Sequence, residues 1–371
     1  MMPPLCASWH RVALVGFAGM TSTIKDEMKT ARRVTVLGGG SFGTVLANIL
    51  AENGHTVWLW MRDRDRVEQV AQSRENAAYL PGYRLHDALQ VTAEMAACLP
   101  DSEIVFVSVP SQTVRAVVRA ASAWLPSDVI MVSTAKGIEA EGFRMMSQVL
   151  VEEMPNARIG ALSGPNLARE IAARFPTATV IASADEALCN TIQETLGCDY
   201  LRVYSAIDLY GVQLAGALKN IYAIITGMAD ALGMGANTRG MLITRSLAEM
   251  SRFAVRLGAE PMTFLGLTGV GDLVVTCTSP LSRNYRVGAL VGRGKSVAEA
   301  MAEVGQVAEG VNTLNLVKQK AIELDIYMPL VMGLDAVLSN PGMAFDVAKA
   351  LMLGSGKRDV EFSLRGQQQV V

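Results

Sequence analysis

The run LAGALKNIYAII (Leu214–Ile225) carries one charge, Lys219, among residues suited to burial. An ammonium placed there costs free energy unless something meets it. Burial and nearby cations also lower a lysine's pKa, which suits proton transfer near neutral pH. On a helix the i±3 and i±4 neighbours of Lys219 are Ala215, Gly216, Tyr222 and Ala223. Three of these are small, so Lys219 is expected in a shallow, open patch with room for a small substrate. The same pattern also fits a lysine that lays its stem along apolar neighbours and keeps its amine in water.

A second group of residues suits phosphate. VTVLGGGSFGTVLANILAENGHTVWLWMRDRD places Gly38, Gly40 and Gly43 in G-x-G-x-x-G spacing after a strand and at the start of a helix, with a second strand following ENGH. That is the βαβ setting in which backbone N–H groups and a helix N-terminus hold a pyrophosphate. The second strand ends in Trp60–Met61–Arg62–Asp63–Arg64. Arg62 can pair with a 2′-phosphate, which favours NADP or dual use, whereas Asp63 keeps NAD open. Arg62 and Arg64 also fit a solvated helix start.

A dinucleotide-linked oxidation of an alcohol needs a proton acceptor. His10, His55 and His86 lie in a leader, a turn and a loop, out of reach of a substrate domain, so Lys219 becomes the candidate. GLTGVGDLVVTCTSPLSRNYRVG (Gly266–Gly288) adds Asp272, which can hold a hydroxyl or orient Lys219. It also adds Ser282, Arg283 and Asn284, a donor cluster matched to phosphate. An ordinary polar loop has the same composition. Lys136, in VSTAKGIE, follows a strand's carboxyl end, where open α/β sheets bind ligands; a surface lysine is the plain alternative. GRGKS (Gly292–Ser296) is not a P-loop, because Ala289 occupies the earlier glycine position and no strand precedes it.

These residues need elements to carry them. Strands are expected at Val34–Leu37, Thr56–Met61, Ile104–Val109, Val129–Thr134, Ile159–Ser163 and Thr177–Ser183, with helical stretches between. The fold class is α/β: an N-terminal doubly wound, mainly parallel Rossmann-type sheet followed by an all-α C-terminal domain. SAID (Ser205–Asp208) reads as a capping box that opens the helical half. The expected divisions are a leader over 1–30, poorly ordered or over-extended, a dinucleotide domain over 31–204, a helical substrate domain over 205–355 and a loose tail over 356–371. Met28 is a natural start.

The bulk properties exclude several classes. The chain has 371 residues, 50% of them hydrophobic and 18% charged, which is ample for a core and too apolar for disorder. A formal net charge of −2 gives no basic excess for nucleic acid or an anionic membrane. Five cysteines and three histidines, in no ligand spacing, argue against a disulfide framework and against a metal site. Reduced thiols in a cytoplasm are the simplest reading. No uninterrupted apolar run is long enough for a spanning helix.

Taken together, VLGGGSFGTVLA, STAKGIE, LSGPNLARE, GVQLAGALKNIYAI, GLTGVGDLVVTCTSPLSRNYRVG and GQVAEGVNT closely resemble the bacterial NAD(P)-dependent glycerol-3-phosphate dehydrogenase family. The resemblance runs from about Val34 to Leu353. It implies interconversion of sn-glycerol 3-phosphate and dihydroxyacetone phosphate with NADP or NAD, in a soluble cytoplasmic enzyme that serves glycerophospholipid synthesis. By position, Lys219 takes the proton-transfer role. Lys136, Gly164, Asn166, Asp272, Ser282, Arg283 and Asn284 match substrate contacts. Ser41, Phe42, Arg62, Lys136, Ala168, Arg283, Val307 and Glu309 match cofactor contacts, beside Gly38, Gly40 and Gly43. Asn166 stands where many members have Ser or Thr, and Arg62 where some have His. The implied partners are the small-molecule substrate and, as an option, a second copy of the chain, with neither nucleic acid nor membrane insertion. Two rivals remain at this point. One is a 6-phosphogluconate or hydroxyacid type of dehydrogenase; the Ser282–Asn284 cluster and the lack of a usable histidine speak against a hydroxyacid. The other is a non-catalytic NAD(P)-sensing protein, against which the joint presence of Lys219, Asp272 and Arg283 speaks.

Overall fold

The computed structural model describes residues 30–305 and 307–352. Apart from residue 30, the expected leader lies outside the described residues, as do the tail and Gln306. The strands are β1 (Arg33–Leu37), β2 (Thr56–Trp60), β3 (Gln90–Thr92), β4 (Ile104–Val107), β5 (Ile130–Ser133), β6 (Ile138–Glu139), β7 (Arg144–Met145), β8 (Arg158–Ser163), β9 (Thr177–Ala182) and β10 (Leu201–Ala206). Between them run α1 (Ser41–Glu52), α2 (Arg64–Ser73), α3 (Met95–Cys98), α4 (Val114–Ala121), α5 (Met146–Glu153), α6 (Ala168–Ala172) and α7 (Glu186–Leu196). The helical half comprises α8 (Leu209–Ala231), α9 (Ala236–Arg256), α10 (Asp272–Thr278), α11 (Arg283–Gly292), α12 (Val297–Val304), α13 (Glu309–Glu323), α14 (Pro329–Ser339) and α15 (Ala344–Met352).

Eight strands form one sheet in the order β10-β9-β8-β5-β4-β1-β2-β3, while β6 and β7 make a separate small hairpin. The six expected strands are all present. The sheet is parallel except at β8 and β9, so β9 and β10 run against the rest. Period-2 alternation sends Val34, Val36 and Phe106 into a core with Leu46, Ile49 and Ile192 on one face. Leu37, Val105 and Val107 enter a second core with Val118, Val149 and Leu150 on the other. The central strands are apolar on both faces because helices cover both. β1 lies between β4 and β2, so the chain winds outward from it in both directions, and the loop after β1 sits at that switch point.

The capping-box reading of Ser205–Asp208 is corrected. Ser205 and Ala206 stay extended because they pair with Ile181 and Ala182 of β9. Sheet pairing therefore continues past the expected boundary at 204. Asp208 is itself the cap: its Oδ1 accepts from Gly211 N at 2.8 Å, and its Oδ2 accepts from Glu260 N at 3.0 Å and Thr263 Oγ1 at 2.6 Å. From there α8 runs through the middle of the helical half, buried on nearly every side. Ile138 and Met145 of the β6–β7 hairpin enter the same core. Gln213 of α8 accepts from Ser147 N at 2.8 Å and donates to Ser147 Oγ at 2.7 Å, which ties the sheet half to the helical half. Among the described residues no helix is long and apolar enough to cross a membrane.

Glu249 is 2% exposed and holds the start of α14. Its carboxylate accepts from Leu330 N and Val331 N at 3.0 Å each, and from the Tyr222 hydroxyl at 3.4 Å. Burial is the largest influence and pushes this carboxyl up to about 7, against the opposing pull of the two N–H groups. Between its ordinary range near 4.5 and 7, the unfolded chain has lost a proton that the folded chain keeps. Stability from this group is therefore complete at low pH and declines as pH rises through that window, by on the order of 3 kcal/mol. Glu249→Gln should gain on the wild type between pH 5 and pH 8 in urea unfolding; a constant difference across that range contradicts the assignment.

Candidate active site

Several of the residues singled out above follow the carboxyl ends of parallel strands: Gly38 after β1, Arg62 after β2 and Lys136 after β5. After β1, Gly38 takes φ +119°, a backbone conformation that L side chains rarely adopt, and a Cβ there would lie 2.6 Å from Ser108 O. A Cβ on Gly43 would lie 2.1 Å from Gly38 O, so α1 can seat against the loop only as glycine. Gly40 is the N-cap of α1, without a side-chain cap and without an acidic residue in the first turn, and the space above it is open. An uncapped helix start facing open space fits a dinucleotide pyrophosphate. Ser41 donates from Oγ to Tyr79 O at 2.8 Å, and Phe42 packs on the adjoining core.

The end of β2 divides its charges. Asp63 caps α2, accepting from Arg66 N at 3.1 Å, and Arg64 pairs with Glu94 at 2.7 Å. Arg62 is exposed and has no polar partner among the described residues. It is thus the uncommitted cation at the place where the ribose 2′ position of a dinucleotide is read.

The lysine raised first proves to be one of a pair. Asp272, at the start of α10 and 1% exposed, receives both lysines. Lys219 donates from Nζ to Oδ1 and also to Thr276 Oγ1 at 2.6 Å. Lys136, from the end of β5, donates to Oδ2 at 2.7 Å and to Gly164 O at 2.6 Å. Thr276 passes its own proton to Asp272 O at 2.6 Å. The expected open patch around Lys219 is corrected: a Cβ on Gly216 would lie 2.8 Å from Ser163 Oγ and 3.5 Å from Lys136 Cγ, so the Lys136 stem fills that room. Nor does the Lys219 amine trail into water, since the residue is 5% exposed and its ammonium is held by Asp272 and Thr276. Burial, the largest influence, pushes Lys219 down to about 7; the Asp272 charge opposes this and Lys136 adds to it. Two ammonium groups on one carboxylate leave the cluster with a surplus positive charge, suited to a carbonyl oxygen that gains electrons.

The Ser282–Arg283–Asn284 cluster separates into different tasks. Ser282 caps α11, accepting from Tyr285 N at 3.3 Å. Asn284 donates to Asn220 Oδ1 at 2.8 Å and accepts from Gly310 N at 3.0 Å, so its amide joins α8, α11 and α13. Arg283 alone keeps an uncommitted side chain among the described residues. It is exposed yet crowded by surrounding protein, which lowers its pKa mainly through desolvation, with Glu309 opposing. Asn166 donates to Thr179 Oγ1 at 2.9 Å, while its Oδ1 is buried without a partner, as is Ser163 Oγ. Such orphaned atoms beside Lys136 and Gly164 suit a hydroxylated ligand. Ala168 opens α6 and Val307 is exposed. Glu309 accepts from Ser111 N at 3.0 Å and from Ser111 Oγ at 2.7 Å, bridging α13 to the turn after β4.

Two polar residues here lie outside the sequence-based set. Thr276 carries a weak signal, four residues after Asp272 on a helix. Ser111 carries one as the residue after Pro110 at a strand's end. His55, by contrast, accepts from Arg32 N at 3.2 Å and meets Thr195 O at 3.1 Å, in a structural position away from this cluster. No group of three metal-ligating side chains occurs among the described residues.

Residues 33–189 match the family model described as NAD-dependent glycerol-3-phosphate dehydrogenase N-terminus, and residues 208–347 match its C-terminus counterpart. The chain is 57% identical over 329 residues to the glycerol-3-phosphate dehydrogenase (NAD(P)+) of Azotobacter vinelandii, covering 89% of this chain and 96% of that protein. It is 55% identical over 349 residues to the enzyme of the same name from Saccharophagus degradans, covering 94% and 98%. The crystal structure of glycerol-3-phosphate dehydrogenase from Coxiella burnetii superposes with a TM-score of 0.84 at 34% identity, over 87% of this chain and 99% of that one.

The isolation of Arg62 generates a test of cofactor reading. Arg62→Ala should raise KM for NADPH about ten-fold or more, the size of a lost charge-assisted hydrogen bond. KM for NADH should move less than about three-fold. Equal losses for both cofactors would remove Arg62 from 2′-phosphate recognition.

Proposed function

The chain belongs to the NAD-dependent glycerol-3-phosphate dehydrogenase family, and from that premise we propose how its own residues carry the reaction. The enzyme is an oxidoreductase that interconverts sn-glycerol 3-phosphate and dihydroxyacetone phosphate with NAD or NADP. The observation that carries the mechanism is the Lys219–Asp272–Lys136 cluster.

The bound nicotinamide donates or accepts the hydride. Gly38, Gly40 and Gly43 with the start of α1 hold the pyrophosphate, and Arg62 holds the adenosine end. Ser41, Phe42, Ala168, Val307 and Glu309 complete the dinucleotide contacts. Arg283, with Ser282 and Asn284 fixing its helix start, takes the substrate phosphate. Gly164 and Asn166 are assigned to the substrate hydroxyls. In the reductive direction Lys219 gives a proton from Nζ to the carbonyl oxygen as that oxygen gains charge. Lys136 adds a second positive charge beside the same oxygen, and Asp272 holds both amines in register. In the oxidative direction the neutral amine of Lys219 takes the hydroxyl proton back.

The same proposal extends to setting. Residues 31–204 bind the dinucleotide and residues 205–355 shape the substrate side. The physiological direction is reduction of dihydroxyacetone phosphate for glycerophospholipid synthesis, in the cytoplasm, by a homodimer.

The sign of the pH dependence follows from Lys219. Burial brings it to about 7, so the free enzyme loses the required ammonium as pH rises through that value. For dihydroxyacetone phosphate reduction kcat/KM should therefore decline above about pH 7, while for glycerol 3-phosphate oxidation it should climb. Lys219→Ala should lower kcat by at least about 100-fold in both directions and erase this opposition. NADPH affinity, read by quenching of tryptophan fluorescence, should change little. Near-normal turnover in that variant contradicts the mechanism.

A further inference from the structure

The segment between α2 and β3 matches none of the motifs singled out for chemistry, yet it grips the glycine loop from behind. Asn76 is 1% exposed. Its Nδ2 donates to Gly39 O at 2.9 Å and to Thr44 Oγ1 at 2.9 Å. The amide cannot be turned over, because a carbonyl oxygen such as Gly39 O accepts only. The price is an Oδ1 buried with no partner. A buried acceptor is rarely left unpaired unless something else fixes the group's orientation. The segment is itself braced: Tyr79 N and Leu80 N donate to Asn76 O at 3.1 and 2.8 Å, and Ser41 Oγ binds Tyr79 O.

The consequence lies in one peptide unit. There are no cis peptide bonds among the described residues, so the Gly39 carbonyl and the Gly40 N–H point in opposite directions. With Gly39 O held behind the loop, the Gly40 N–H is turned to the other side. It has no partner among the described residues, and the space above Gly40 is open. The three consecutive residues Gly38, Gly39 and Gly40 resist rotation of this peptide less than any other sequence would. A rotated peptide would present a carbonyl oxygen to an anion in place of a donor.

We propose that Asn76 is the positioning residue of the dinucleotide site: its hydrogen bond to Gly39 O keeps the Gly40 N–H facing the pyrophosphate. The proposal rests on the reading of the glycine loop as a pyrophosphate site. It predicts that losing Asn76 weakens ligands that contain a pyrophosphate and spares those that do not.

Equilibrium titration of the full-length apoenzyme separates the outcomes, with NADPH and adenosine 2′-monophosphate as probes and melting temperatures recorded alongside. Asn76→Ala and the isosteric Asn76→Asp, which loses the donor, should each raise the Kd for NADPH about ten-fold or more. The Kd for adenosine 2′-monophosphate, which lacks a pyrophosphate, should stay within about two-fold, a selectivity that general loss of packing would not produce. KM for NADPH should rise far more than kcat at saturation falls. Thr44→Val, which keeps the Gly39 anchor, should bind NADPH like the wild type. Unchanged NADPH affinity in both Asn76 variants, or equal losses for the two probes, overturns the proposal. Wild-type protein that fails to bind NADPH overturns the pyrophosphate reading itself, and the proposal with it.

Discussion

A carboxylate that is 1% exposed and far from bulk water persists only if its charge is met, and Asp272 is met twice. The two ammonium groups reach it from different parts of the chain. Lys136 comes from the end of β5 in the sheet half, and Lys219 from the middle of α8 in the helical half. Lys219, 5% exposed, would not tolerate its surroundings as an ammonium without the shared anion, and removing that anion would leave two like charges beside each other. Breaking such a buried pair typically costs about 3–5 kcal/mol. The cluster is therefore a reason for the two halves to meet in one register as well as the proposed reactive centre.

Much of the remaining architecture follows from delivering those three side chains to one point. α8 must pass through the middle of the helical half, which is why it is apolar around its circumference and why Lys219 is nearly its only charge. The β6–β7 hairpin begins right after Lys136, and its Ile138 and Met145 enter the helical core. The lysine's own backbone is thereby clamped to the domain that holds its partner. Gln213 and Ser147 repeat the clamp nearly two turns before Lys219 on α8. Gly216 removes a side chain from the place where the Lys136 stem crosses α8. Apolar packing thus supplies the positioning, and the polar cluster is the small part of the interface that packing alone cannot satisfy.

The parts of this fold that were legible in the sequence are those set by local patterns. The six apolar strands, the glycine loop and the helical second half each announce themselves within a window of several residues. β3 and β10 did not, because an edge strand needs no continuous apolar run and β10 shows its alternate residues to solvent. The misplaced cap at Ser205 has the same origin: pairing to β9, which is distant in sequence, overrode a local helix-start signal. At the site, residue types were readable and commitments were not. Nothing in SRN says that Asn284 is bound to Asn220 and Gly310 while Arg283 stays free. Nothing near Lys219 says that Lys136, distant in sequence, occupies the space beside it. Asn76 is the extreme case, since its importance depends wholly on which carbonyl it touches.

The charge arrangement also explains how a chain of net charge −2 can be selective for highly anionic small molecules. Long-range attraction is weak for such a protein, so non-specific polyanions gain little from it. Attraction is concentrated instead in groups that the fold leaves unspent: Arg62, Arg283, the uncapped start of α1 and the surplus charge on the lysine pair. Under the proposed function each is assigned a different negative feature of the reacting set, namely a 2′-phosphate, a substrate phosphate, a pyrophosphate and a carbonyl oxygen gaining electrons. Arg283 has no committed partner among the described residues, so an ester phosphate would gain a charge-assisted hydrogen bond there that an unphosphorylated ligand cannot make. On the proposed assignment, discrimination between glycerol 3-phosphate and an unphosphorylated triol depends on which cations the fold has declined to pair.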